Sequence, residues 1–171
     1  MESMMQNQAV WAEEFLGRVD LFEKCSPQDI HLLTLNMRKQ SFDKGDTILF
    51  QGIISHQLYF VVSGMVAVFS RKDKVTRFIA NLEKGAFFGE ISLVKNCAAT
   101  ATIKAAVDQT EIYTIEHDVI REIMERHPEV KSDLEEKVRE RNAGRLEAFE
   151  KQKEELPSAA PLSAQASAAR Y

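Results

Sequence analysis

The amino-acid sequence predicts a mainly β fold with flanking helices: an antiparallel β-roll or jelly roll of about eight strands, N-terminal helices before it and a long C-terminal helix after it. Three observations carry this prediction. Between residues 38 and 116 the apolar residues fall into short β-branched and aromatic runs, each cut by glycine or by charged turn residues. On either side the apolar spacing changes to that of helices. From Pro157 onward, Pro, Ser and Ala replace almost every large apolar residue. The chain therefore divides into an N-terminal helical segment (1–37), the β-roll (38–116), a short and a long helix (117–155), and a tail (156–171) expected to be disordered.

Taken in order, Ala9 to Phe22 reads as one amphipathic helix with Val10, Trp11, Phe15, Leu16 and Val19 on its apolar face. Ser26, Pro27 and Asp29 are a strong start signal for a second helix: a capping hydroxyl, a preset φ and an acid at the positive end. Ile30, Leu32, Leu33, Leu35 and Met37 supply its buried face. Lys44-Gly45-Asp46 is a turn and Thr47 to Phe50 a short strand, ended by Gln51-Gly52. Leu58–Val62 and Met65–Phe69 flank Ser63-Gly64, which predicts a tight hairpin. Arg71 to Lys74 is a charged hairpin tip, followed by a strand from Thr76 to Leu82 with Phe78, Ala80 and Leu82 on one face. Strands over Ala101–Ala106 and Glu111–Ile115 complete the roll.

Val119, Ile120, Ile123 and Met124 mark a short helix that ends near His127. A long helix starts at Pro128 and runs to about Glu155, with expected pairs Asp133–Lys137, Glu135–Arg139 and Glu147–Lys151. Its apolar residues Val130, Leu134, Val138, Leu146 and Phe149 drift around the cylinder instead of forming a heptad seam. The helix is expected to pack first on its own domain and then against something else, with Gly144 a weak point.

Composition narrows the function classes. The 171 residues carry a net charge of −4 with 44% hydrophobic content, which suits one globular domain and shows no basic stripe for nucleic acid. No apolar run approaches the ~20 residues of a membrane span, and Met1 to Gln6 lacks the features of a secretion signal. The expectation is a cytoplasmic protein without DNA or membrane partners. Cys25 and Cys97 read as free thiols, and His31, His56, His117 and His127 lack metal-ligand spacing. No nucleophile–base order, phosphate loop or zinc motif argues for an enzyme.

The segment Phe88-Gly89-Glu90-Ile91-Ser92-Leu93 has a chemical logic of its own. Gly89 allows close backbone approach, and Glu90 onward opens a short helix whose free N–H groups suit an anion, while Glu90 offers a carboxylate to a hydroxyl. The structural alternative is a turn and helix that merely close the roll. Together with Lys44–Gly52, Leu58–Val68 and Ala101–Ala105, this segment resembles the cyclic-nucleotide-binding domain family over about Phe15 to Phe149. The resemblance implies a regulatory module, with Phe88 to Leu93 as its phosphate cassette and Glu90 at the ribose 2′-hydroxyl. It implies a ligand site formed by Phe88, Gly89, Glu90, Ile91, Ser92, Ala99, Thr100 and Ala101, with cAMP or cGMP as the ligand and no required cofactor.

One position departs from the family. Where its members place an arginine against the cyclic phosphate, this chain has Ala99, and no arginine occurs between Arg77 and Arg121. A charge-assisted bond is worth ~1.5–3 kcal/mol, so phosphate binding should weaken roughly ten- to a hundredfold or more. Arg141 and Arg145 reach the pocket mouth if the long helix folds over it. Two functions follow: a sensor with altered ligand preference that signals through the long helix, or a ligand-independent scaffold that binds a protein partner or a second copy through that helix. A catabolite-activator-type DNA-binding reading is set aside, because no recognition helix follows Phe149.

Overall fold

The computed structural model describes residues 10–155; the expected disordered tail, 156–171, lies outside the described residues. A helix over residues 10–16, α1, and a 3-10 turn at Asp20–Phe22 lead into α2 (Pro27–Leu35). Eight strands follow: β1 (Arg38–Phe42), β2 (Thr47–Leu49), β3 (Gln57–Ser63), β4 (Met65–Lys72), β5 (Val75–Glu83), β6 (Phe87–Phe88), β7 (Thr102–Ala105) and β8 (Thr110–Glu116). The short helix α3 (Glu90–Lys95) interrupts them after β6, and α4 (His117–Arg126) and α5 (Pro128–Glu155) close the order. The strands form two four-stranded antiparallel sheets, β1-β8-β3-β6 and β2-β7-β4-β5. No helix among the described residues is long and apolar enough to cross a membrane.

Strand β3 shows why this layering is stable. Its side chains alternate between faces, and both faces are covered. Leu58, Phe60 and Val62 enter a core shared with the helices, while Tyr59 and Val61 enter a second core between the sheets. Neighbouring β8 divides the same way, with Tyr113 and Ile115 toward the helices and Ile112 toward the other sheet. Each fully buried large apolar side chain contributes about 1.5–3 kcal/mol.

Several elements differ from expectation. The predicted hairpin at Ser63-Gly64 is a crossing between sheets, since β3 and β4 belong to different ones. Gly64 has φ +78°, and a Cβ there would lie 2.6 Å from the Thr110 hydroxyl, so the crossing needs glycine. The adjacent hairpin is β4–β5, turning at Asp73 and Lys74, both with positive φ. A bulge in that pair sets Val68 opposite Ala80 and Phe69 opposite Phe78, which leaves Ile79 unpaired. Phe78 is consequently 50% exposed and does not share an inner face with Ala80 and Leu82.

The expected first helix is broken at Gly17, where the chain turns so that Leu21 and Phe22 can enter the core. Val10 and Trp11 stay exposed, with Trp11 stacked on Phe15. In α2 only Leu33 is fully buried and Leu35 points outward. Its start is as expected: Ser26 and Asp29 form a reciprocal capping box. Asp29 has a second role at the α4–α5 junction. His127 Nε2 lies 2.7 Å from its Oδ2 and Arg126 Nη1 lies 2.5 Å from its Oδ1. The Ser26 hydroxyl, His127 and Arg126 hold the Asp29 carboxyl below its usual range, and Asp29 in turn raises His127. Nearby Cys25 is pushed up to about 11 by burial and the charges of Asp29 and Glu129, so its thiol stays protonated.

Candidate functional site

Phe88 and Gly89 set the site's floor. Phe88 is buried and stacks on Tyr59 with ring centres 4.8 Å apart. Gly89 caps α3 with φ +93°, and a Cβ here would sit 2.6 Å from the carbonyl oxygen of Gln57. The tight passage turns the backbone so that the next residue, Glu90, points inward and is only 1% exposed. Burying a carboxylate this deeply is costly unless a cation meets it.

Helix α5 brings that cation. Val130 and Leu134 enter the helix-side core and Val138 beyond them is also buried, which docks its first half. One turn further on, Arg141 Nη1 lies 2.6 Å from Glu90 Oε2. Its Nη2 donates a hydrogen bond to the Phe87 carbonyl at 2.6 Å, and the guanidinium sits over the Phe87 ring. Beyond it, Arg145 Nη1 is 3.5 Å from the Thr100 carbonyl oxygen while its Nη2 donates to Asn142. Phe149 packs under Arg77 of β5, 5.3 Å from guanidinium carbon to ring centre. The second half of α5 thus meets the chain's own β-roll. Of the expected intrahelical pairs, Glu147–Lys151 is made, whereas Lys137 pairs with Glu140 at 2.9 Å instead of with Asp133.

Between α3, the inner face of the β2-β7-β4-β5 sheet and α5 lies a cleft of about 400 Å³, at the lower end of the range for small-molecule sites. All eight residues read from the sequence as site residues, Phe88 to Ser92 and Ala99 to Ala101, line it. Its walls are apolar, formed by Leu49, Val68, Leu82 and Ile103. Ala99 is buried and tightly fixed: its N–H donates to Ile53 and its carbonyl accepts from Gly52, at 2.9 and 2.8 Å. Only a methyl group faces the cleft there. Lys95, the nearest cation in sequence, is exposed and does not line it. Thr102 uses its hydroxyl to accept from the Gln51 N–H.

The α5 contribution is the part that sequence reading reached least well. Arg141 and Arg145 were legible only as cations that reach the mouth if the helix folds back. Lys137, Glu140 and Gly144 also line the cleft and were not anticipated. The available signal was their spacing, since 137, 141 and 144 share one helical face.

Comparison with known proteins follows the same lines. Residues 39–127 match the cyclic nucleotide-binding domain family. The cyclic nucleotide-gated channel alpha-4 of Mus musculus is 30% identical over 131 residues, which cover 73% of this chain and 22% of the channel. The chain spans between 9% and 22% of the length of the channel relatives it matches. Among solved structures, the regulatory domain of Toxoplasma gondii PKA with cAMP superposes with a TM-score of 0.72 at 18% identity, covering 79% of this chain and 51% of that one. The regulatory subunit of a cAMP-independent protein kinase A from Trypanosoma brucei gives 0.59 at 19% identity, covering 75% and 52%. At these identities the two structures speak for the fold alone.

Proposed function

The chain belongs to the cyclic nucleotide-binding domain family, and from that premise we propose that it is a non-enzymatic, cytoplasmic regulatory module with altered ligand preference, read out through α5. The observation that carries this reading is the Glu90–Arg141 pair, which ties the wall of the cleft to the helix above it. A ligand that engages Glu90 must compete with Arg141 or recruit it. Either way the position of α5 becomes coupled to occupancy, which is the requirement for a population shift. Phe88 to Ser92 and Ala99 to Ala101 are the proposed ligand contacts. With alanine at 99, cAMP and cGMP lack the cation that family members supply at the phosphate, so their affinity is expected to be weak.

Calorimetric titration of cAMP and cGMP tests this on the native chain and on Ala99→Arg. The native protein should bind in the high micromolar to millimolar range, and the variant roughly ten- to a hundredfold tighter, the equivalent of one charge-assisted bond. Failure of both proteins to bind at millimolar ligand would count against the sensor.

A scaffold without a ligand is the second reading, with a protein partner or a second copy engaging α5. It is favoured by Arg141, which already satisfies one oxygen of Glu90 within the chain and keeps the helix down.

A further inference from the structure

We infer that the cleft selects an uncharged ligand bearing an O–H or N–H donor, so that a nucleoside binds in preference to its cyclic phosphate. This rests on the reading of the cleft as a ligand site and names the class of ligand. Two independent observations carry it.

The first is the charge inventory. The part of the lining given by Ala99, Ala101 and Ile103 is apolar and holds no cation. The charged groups lining it are Glu90, Lys137, Glu140 and Arg141, and each is paired with another of the four. Arg145, at the mouth, is engaged by the Thr100 carbonyl and Asn142. A phosphate entering this space would leave water, meet apolar walls and a buried carboxylate, and find no free cation among these groups. Anion desolvation without a partner is among the most costly events in recognition.

The second is Glu90 itself. Its Oε2 has Arg141, but its Oε1 is buried and has no hydrogen-bond partner among the described residues. A buried acceptor of this kind calls for a donor. Glu90 lines the cleft, so a ligand hydroxyl or amine placed there completes its hydrogen bonding without adding charge. An uncharged ring system suits the apolar walls, and a hydroxyl-bearing edge suits Oε1. A nucleoside combines both.

The test titrates the full chain by calorimetry with adenosine, guanosine and inosine, each beside its 3′,5′-cyclic phosphate. At least one nucleoside should bind at least ~10-fold tighter than its own cyclic phosphate. Either the 2′-deoxy or the 3′-deoxy form of that nucleoside should lose at least ~10-fold, since it no longer donates to Glu90. This ligand-side change leaves the Glu90–Arg141 pair of the protein itself untouched. In Ala99→Arg the preference should move toward the cyclic phosphate. A cyclic phosphate that binds the native chain as tightly as its nucleoside overturns the inference and leaves the sensor reading intact. Equal binding of both deoxy forms and the parent nucleoside overturns the role given to Glu90. Absence of binding by every nucleoside and cyclic nucleotide at millimolar concentration overturns the inference and the sensor reading together.

Discussion

Replacing Arg141 with Met isolates the contact that joins the cassette to the C-terminal helix. The variant keeps an apolar stem over Phe87 but removes the charge that faces Glu90. Glu90 is 1% exposed and the Arg141 side chain 24% exposed. Removing one partner of a fully buried pair costs ~3–5 kcal/mol, because the other charge is left without compensation. Here the arginine end touches water, so the expected cost is reduced to about 2–3 kcal/mol. For a domain of this size that lowers the melting temperature by roughly 6–9 °C. Glu90→Gln should cost less, about 1 kcal/mol, because Arg141 at the rim can rehydrate. The double variant should be more stable than the sum of the singles predicts by at least ~1 kcal/mol. Urea unfolding of the four proteins measures this coupling. Amide exchange should also show residues of α5 beyond Val138 exchanging faster in Arg141→Met while β3 and β8 stay protected. If the single effects add within ~0.5 kcal/mol, the pair is a surface contact and the link between cleft and helix fails.

Other perturbations probe the parts that hold this contact in place. Gly89→Ala forces a Cβ to 2.6 Å from the Gln57 carbonyl at φ +93°, and should lower stability by about 2–3 kcal/mol in urea; a variant as stable as the parent would refute the tight passage. Leu134→Ala empties a site with no solvent exposure and should cost ~2–5 kcal/mol, whereas a loss below ~1 kcal/mol would mean that α5 is not docked. The His127–Asp29 latch gives a pH dependence whose sign is fixed. His127 is raised from 6.5, so its contribution is complete below that value and is lost as pH rises through the raised one. Asp29 is lowered from 3.8, so its contribution is complete above that value and is lost as pH falls through the lowered one. The native melting temperature should therefore decline relative to His127→Gln between pH of about 6 and about 8. Parallel melting curves across that range would remove the latch.

Much of the fold is legible in the sequence wherever the determining residues lie close together. Ser26, Pro27 and Asp29 specify the start of α2 within four positions, and the structure shows the capping box they imply. Pro128 starts the long helix, and the continuous apolar run Leu58–Val62 is that of a strand buried on both sides. The cassette is likewise local: Gly89 must be glycine because of where its backbone goes, and Glu90 follows it directly. Ala99 was identifiable as the odd residue because the resemblance fixed its place relative to the strand after it.

Tertiary structure decided what local sequence leaves open. A tight Ser63-Gly64 link is compatible with a hairpin or with a crossing, and packing of Gly64 against Thr110 selects the crossing. The bulge in β4–β5 turns Phe78 outward, which no alternation rule could show. Above all, the sequence marks Glu90 as a site residue and Arg141 as a cation that reaches the mouth if the helix folds over, but nothing in it pairs the two. Only the docking of Val130 and Leu134 in the core, with Val138 buried after them, brings the second over the first. Local elements follow from backbone preferences and nearby side chains. The pairing of a buried carboxylate with one arginine among several follows from which helix face the core captures, and that is set by contacts between distant segments.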